Sequence, residues 1–215
     1  MAARETFGRL AALAIALIAS AALALQLQLL VADFTERGET VASGVWRYFA
    51  FFTILTNILV ALTTFGIAAG GRFTPNHSLV TGVTKNIVIV GLVYHFLLAA
   101  LWSPQGAQYL ADVLLHYAVP LSMLAYWLTL EPKGGITWRD GLMWLVYPAA
   151  YLVYALARGA FDGFYPYPFI DVATMGIEKV LMNAVGLVVA FGVIAQLFIF
   201  ADGALGAAAM RRALR

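Results

Sequence analysis

The chain has 215 residues, of which 63% are hydrophobic and 11% charged, with a net charge of +2. A soluble domain carries about 25% charged residues, so the composition excludes an ordinary water-soluble enzyme and predicts an all-α polytopic membrane protein. Zero cysteines exclude disulfides, thiolate metal sites and a cysteine nucleophile; no cofactor, metal or nucleic-acid partner is expected.

Apolar runs of about 20 residues read as spanning helices. Six are predicted near 9–31, 46–70, 84–103, 109–130, 141–158 and 174–201, forming one membrane domain over residues 1–215. The first follows Arg4 and Arg9 and contains Ala19-Ser20-Ala21, a pattern shared with cleavable signal peptides. Its apolar run continues to Val31, longer than a signal core, so it is read as a retained helix. Asp33 to Ser43 forms the first external loop, and Trp46-Arg47-Tyr48 opens the second helix as an interfacial anchor. Arg72 to Gly82 makes a cytoplasmic turn, Trp102-Ser103-Pro104 closes the third helix, and Glu131 to Gly135 makes a second cytoplasmic turn. The loop Arg158 to Asp171, rich in aromatics and proline, is expected to fold over the external mouth or to serve only as an aromatic belt.

Basic residues orient the bundle. With the amino terminus in the cytoplasm, that side collects Arg4, Arg9, Arg72, Lys85, Lys133, Arg139, Arg211, Arg212 and Arg215. The other side holds Arg37, Arg47, Arg158 and Lys179, nine against four. Both termini are therefore expected in the cytoplasm. Small residues such as Gly186 and Gly192 pack within one bundle or between two, so the sequence leaves oligomeric state open.

Few polar groups interrupt the spans, and their depths agree. At 1.5 Å per residue, Thr53, His95 and His116 each lie about 10 Å below an external helix end, and Asn183 about 12 Å. Asn86 lies in the other leaflet. Thr53, Thr56 and Asn57 occupy i, i+3 and i+4, with Trp46 seven residues before Thr53 on the same predicted face. Asp112 and His116 are at i and i+4, so the carboxylate can fix one ring nitrogen and leave the other as a base. A threonine hydroxyl needs such a base to attack a carbonyl. Thr53, His116 and Asp112 thus form a candidate nucleophile, base and orienter, with Thr56 a rival nucleophile. Asn57, Thr56 and His95 are candidate oxyanion donors, and with Trp46, Tyr167 and Asn183 they are the candidate substrate contacts.

Simpler roles compete. Intramembrane threonines bond the carbonyl one turn back, histidines serve as packing residues, and Asp112 can sit in external water. Asn183 can act as interhelical glue. His95 with His116 would also permit haem ligation across two helices.

Gly163-Phe164-Tyr165-Pro166-Tyr167-Pro168-Phe169-Ile170-Asp171 resembles the Gly-x-Trp-x-Tyr-Pro-Phe-Leu-Glu segment of the androgen-induced protein family. Trp46-Arg47-Tyr48-Phe49 with Thr53 is similar to its Trp-Lys-aromatic-Leu-Thr element, and His116 with Pro120 to its His-x-x-x-Leu-Pro element. The resemblance implies a six-span intramembrane hydrolase that cleaves fatty acid esters of hydroxy fatty acids, with Thr53 as nucleophile and His116 as its partner. Asp112 stands where the family has Asn. The expected partner is a membrane lipid or fatty-acyl substrate. The competing expectation is a non-catalytic lipid- or small-molecule-binding protein or a transporter.

Overall fold

The computed structural model describes residues 2–214; Arg215, counted above among the cytoplasmic cations, lies outside them. The described residues form helices joined by short turns, with no strand among them. Six helical segments are long and apolar enough to cross a membrane, as in an integral multi-pass membrane protein: Ala3–Glu36, Phe52–Ala69, His77–Leu101, Gly106–Thr129, Trp138–Asp162 and Ile177–Ala213. The chain groups into two compact units, residues 1–132 and 133–215.

In the first unit, α1 (Ala2–Glu36) packs along α3 (Phe52–Ala69), which packs on α4 (His77–Val93). Ala12, Ala16, Ala19 and Ala22 on α1 are all fully buried. This stripe of small side chains lets neighbouring backbones approach closely, the usual basis of helix association in lipid. Leu10, Leu13 and Leu17 on α1 remain exposed, as hydrocarbon-facing residues would be.

The predicted second helix, 46–70, is broken. A short helix α2 (Val41–Tyr48) ends at Phe49, Phe51 is extended, and α3 starts at Phe52. The cause is tertiary. Tyr48 is buried and its hydroxyl donates to the Leu23 carbonyl of α1, 2.9 Å away, while Thr40 caps α2 by accepting the Ser43 N–H. A continuous apolar run carries no trace of that cross-helix tie. Trp46 therefore lies on a different helix from Thr53, half exposed, and the shared face expected for the two does not exist.

The third span also starts earlier than predicted, at His77 rather than 84, because Asn76 accepts the Leu79 N–H at 2.8 Å as its cap. Lys85 is consequently two turns inside the helix and fully buried, not a loop cation. Removing it leaves the orientation bias at eight against four.

Two spans carry a π-helical turn. After α4 comes Tyr94–Leu98, and after α5 (Gly106–Val113) comes Leu114–Ala118, leading into α6 (Val119–Thr129). Pro120 explains the second turn. It lacks an N–H, and its ring would collide with the His116 carbonyl four residues back in a regular helix. The coil widens instead, and Val119 donates to the Leu114 carbonyl.

The second unit holds α7 (Trp138–Met143), α8 (Val146–Asp162), α9 (Val172–Met175) and the long α10 (Ile177–Ala213). Asp202 of α10 is fully buried, and its Oδ2 accepts the backbone N–H groups of Gly134, Gly135 and Ile136 at 2.9, 3.0 and 3.1 Å. Gly206 makes room for this turn, since a Cβ there would fall 2.7 Å from the Gly134 Cα.

Candidate active site

Thr53 is the second residue of α3, and His116 sits at the centre of the π turn 114–118. A buried apolar cluster of Ala22, Tyr48, Ile54 and Leu115 joins the two places. Ile54 and Leu115 are the chain neighbours of Thr53 and His116, so packing this cluster fixes both reactive side chains relative to each other. Thr53 Oγ1 and His116 Nε2 lie 3.4 Å apart, at the outer edge of hydrogen-bonding distance.

The π turn supplies a second tie. With Val119 donating to Leu114 and Pro120 lacking an N–H, the Leu115 carbonyl turns to a side chain. Asn57 provides it: its Nδ2 donates to Leu115 O at 3.3 Å and to Thr53 O at 2.9 Å. Asn57 thus clamps the Thr53 turn to the His116 turn. Both amide hydrogens are committed, which leaves none for an oxyanion. Gly91 of α4 faces the same turn; a Cβ there would lie 3.1 Å from the His116 carbonyl.

On its other edge, His116 Nδ1 faces two acceptors, the Asp112 carbonyl at 3.0 Å and Asp112 Oδ1 at 3.1 Å. Two acceptors pair only with an N–H, so the neutral imidazole carries its proton on Nδ1 and presents the Nε2 lone pair to Thr53. Asp112 is 4% exposed. It does not stand in open water, and its second oxygen accepts the Tyr94 hydroxyl at 2.6 Å. Tyr94 opens the other π turn, and its ring stacks on the His116 imidazole with centroids 3.8 Å apart and planes 14° apart. Trp102 Nε1 in turn donates to the Tyr94 hydroxyl at 3.1 Å. A continuous polar chain therefore runs Trp102, Tyr94, Asp112, His116, Thr53.

The remaining sequence candidates are placed elsewhere. Thr56 is fully buried and donates to the Phe52 carbonyl at 2.7 Å, the back-bonding expected of an intrahelical threonine. His95 is exposed, with Nδ1 3.3 Å from the Tyr117 hydroxyl; it stands beside the chain rather than in it. Trp46 is on α2. Tyr167 and Asn183 belong to the second unit, where both organise the 163–171 loop. Tyr167 stacks on Phe169, and Asn183 Nδ2 donates to the Phe169 carbonyl at 2.9 Å. Among the described residues, no cluster of three or more His, Asp or Glu is placed to hold a metal ion.

Tyr94 and Trp102 are the site residues that sequence reasoning missed. Trp102 reads only as the external end of a helix, and Tyr94 as one aromatic within an apolar run. The available hint was a tyrosine at the depth of His95 and two turns below a tryptophan.

Compared with protein-family models, curated proteins and solved structures, the chain matches none.

Proposed function

We propose that this protein is an intramembrane carboxylic ester hydrolase acting on a lipid, with Thr53 as nucleophile, His116 as general base and Asp112 as its orienter. One observation carries the reading: His116 holds its Nδ1–H on the Asp112 backbone carbonyl, with the buried Asp112 carboxylate 3.1 Å away, and turns the lone pair of Nε2 toward the Thr53 hydroxyl. Thr53 Oγ1 attacks the ester carbonyl while His116 Nε2 takes its proton. The tetrahedral adduct expels the alcohol, which leaves with that proton, and the acyl group stays on Thr53. Water then attacks with His116 again as base, releasing the fatty acid and restoring the threonine.

The reading draws its substrate from resemblance: members of the androgen-induced protein family cleave fatty acid esters of hydroxy fatty acids, and such an ester is the proposed substrate here. We infer a bacterial cytoplasmic membrane location with both termini cytoplasmic, supported by the surviving eight-to-four basic bias.

The test uses purified protein in an uncharged detergent, a hydroxyl-reactive fluorophosphonate and mass-spectrometric mapping of the adduct. Labelling should map to Thr53 and vanish in Thr53→Ala, while His116→Ala should lose both labelling and lipid-ester turnover. Undiminished labelling of Thr53→Ala would overturn Thr53 as nucleophile, and a parent protein with neither labelling nor turnover would leave a lipid-binding protein.

A further inference from the structure

We infer that the mouth between the ends of the 77–101 and 106–129 spans binds an organic ammonium group, of the kind found in choline. This goes beyond the ester-hydrolase reading and does not depend on it. A cavity of about 590 Å³ opens there, lined by Tyr94, Trp102, Tyr109, Tyr117 and Asp112 among others. Its volume is in the range of small-molecule sites.

Its walls have the chemistry of a cation cage. Tyr117 stands against Tyr94 with ring centroids 5.7 Å apart and planes at 86°; Tyr94, stacked on His116 and 5% exposed, forms the floor. Trp102 is fixed beside them by its hydrogen bond to the Tyr94 hydroxyl. Tyr109, 58% exposed, stands at the rim. Among the described residues, the only formally charged side chain in the lining is the Asp112 carboxylate; no Lys or Arg contributes. Aromatic faces carry negative potential and attract cations, most strongly where water is displaced. An anionic head would meet the carboxylate and no counter-charge. A neutral alcohol would gain nothing from the rings beyond contact. An ammonium group is favoured by the rings of Trp102, Tyr109 and Tyr117 and by the field of the Asp112 carboxylate, whose Oδ2 is bonded to Tyr94. The cation can be the head of a lipid or free in solution, and the same cage serves both.

Binding is measured directly, without turnover, on the full chain in dodecyl maltoside. Radiolabelled choline should bind saturably and raise the melting temperature. The probe 3,3-dimethylbutanol has the same shape without the charge; it and glycerol should compete at least about tenfold more weakly. Tyr109→Leu, at an exposed position that folding does not require, should weaken choline binding about tenfold, and Trp102→Leu by at least as much. Dimethylbutanol competing as well as choline would overturn the site, as would wild-type choline affinity in Tyr109→Leu. Discs of phosphatidylglycerol and of phosphatidylcholine separate the two sources. Choline that stabilises only in the former identifies the lipid head as occupant, and equal stabilisation in both identifies the free cation. Failure of fluorophosphonate labelling would leave this result untouched, so the two readings fall separately.

Discussion

Two buried aspartates in this chain are used in opposite ways. Asp202 gives one oxygen to three backbone N–H groups of a turn, so its acceptor capacity is spent on holding α10 to residues 134–136. Asp112 receives a single hydroxyl, from Tyr94, and turns its other oxygen to an imidazole that can gain and lose a proton. Backbone donors are fixed and exchange nothing; side-chain donors of this kind can relay charge. The partners, rather than the burial, separate a structural carboxylate from one suited to chemistry.

Removing Asp202 should give the largest effect. Asp202→Ala removes a fully buried carboxylate that accepts three N–H groups of a partly exposed turn, each hydrogen bond to a charged group contributing about 1.5–3 kcal/mol. A loss of about 3–5 kcal/mol is expected, in line with breaking one side of a buried charged network. It should appear as a marked fall in the detergent melting temperature, with the fluorophosphonate labelling per folded molecule unchanged. If Asp202→Ala melts like the parent, the structural half of the contrast is wrong.

Asp112→Asn should do the reverse. The amide oxygen still accepts the Tyr94 hydroxyl, and the residue 112 backbone carbonyl still accepts His116 Nδ1–H. What is lost is the negative charge 3.1 Å from the ring, which stabilises the imidazolium formed as the hydroxyl gives up its proton. Turnover is expected to fall about hundredfold, with a melting-temperature change much smaller than that of Asp202→Ala. Equal loss of stability in the two variants would erase the distinction between them.

Tyr94→Phe sharpens the comparison further. The ring still stacks on His116, but Asp112 Oδ2 and the Trp102 N–H lose their common partner. A drop in kcat of about tenfold is expected, with KM for the ester little changed, since the variant alters the orientation of the base rather than the acyl site. A fall confined to KM would show that Tyr94 contacts substrate instead.

The six apolar runs and the Asp112–His116 spacing were legible because hydrophobic length and helical period are local properties. The Thr53–His116 pairing was foreseen from matching depth. Tyr94 and the loss of His95 were not: depth says nothing of direction, and adjacent helical residues point about 100° apart, so Tyr94 meets Asp112 while His95 is exposed. A π turn inserts a residue and rotates only the stretch that follows it. For the turn at 114–118, Pro120 was the visible clue; for 94–98 the sequence holds none that we identify. The break between α2 and α3 was invisible for another reason: Tyr48 reaches a carbonyl on α1, 25 residues earlier.

Thr56 offers the smallest effect and the cleanest discrimination between the two threonines. Its hydroxyl is bonded to the Phe52 carbonyl, at zero exposure, one turn from Thr53. Thr56→Val keeps the shape and removes a hydroxyl whose acceptor sits at the start of α3. A stability change of about 1 kcal/mol or less is expected, since the net worth of one such hydrogen bond is about 0.5–1.5 kcal/mol. Labelling should stay on Thr53 with unchanged stoichiometry, because the donor lost points back along the helix rather than toward His116. Loss of labelling in Thr56→Val with a normal melting temperature would transfer the nucleophile to position 56. The imidazole would then have to face a hydroxyl that is now bound to backbone, which requires the first turn of α3 to unwind on substrate binding.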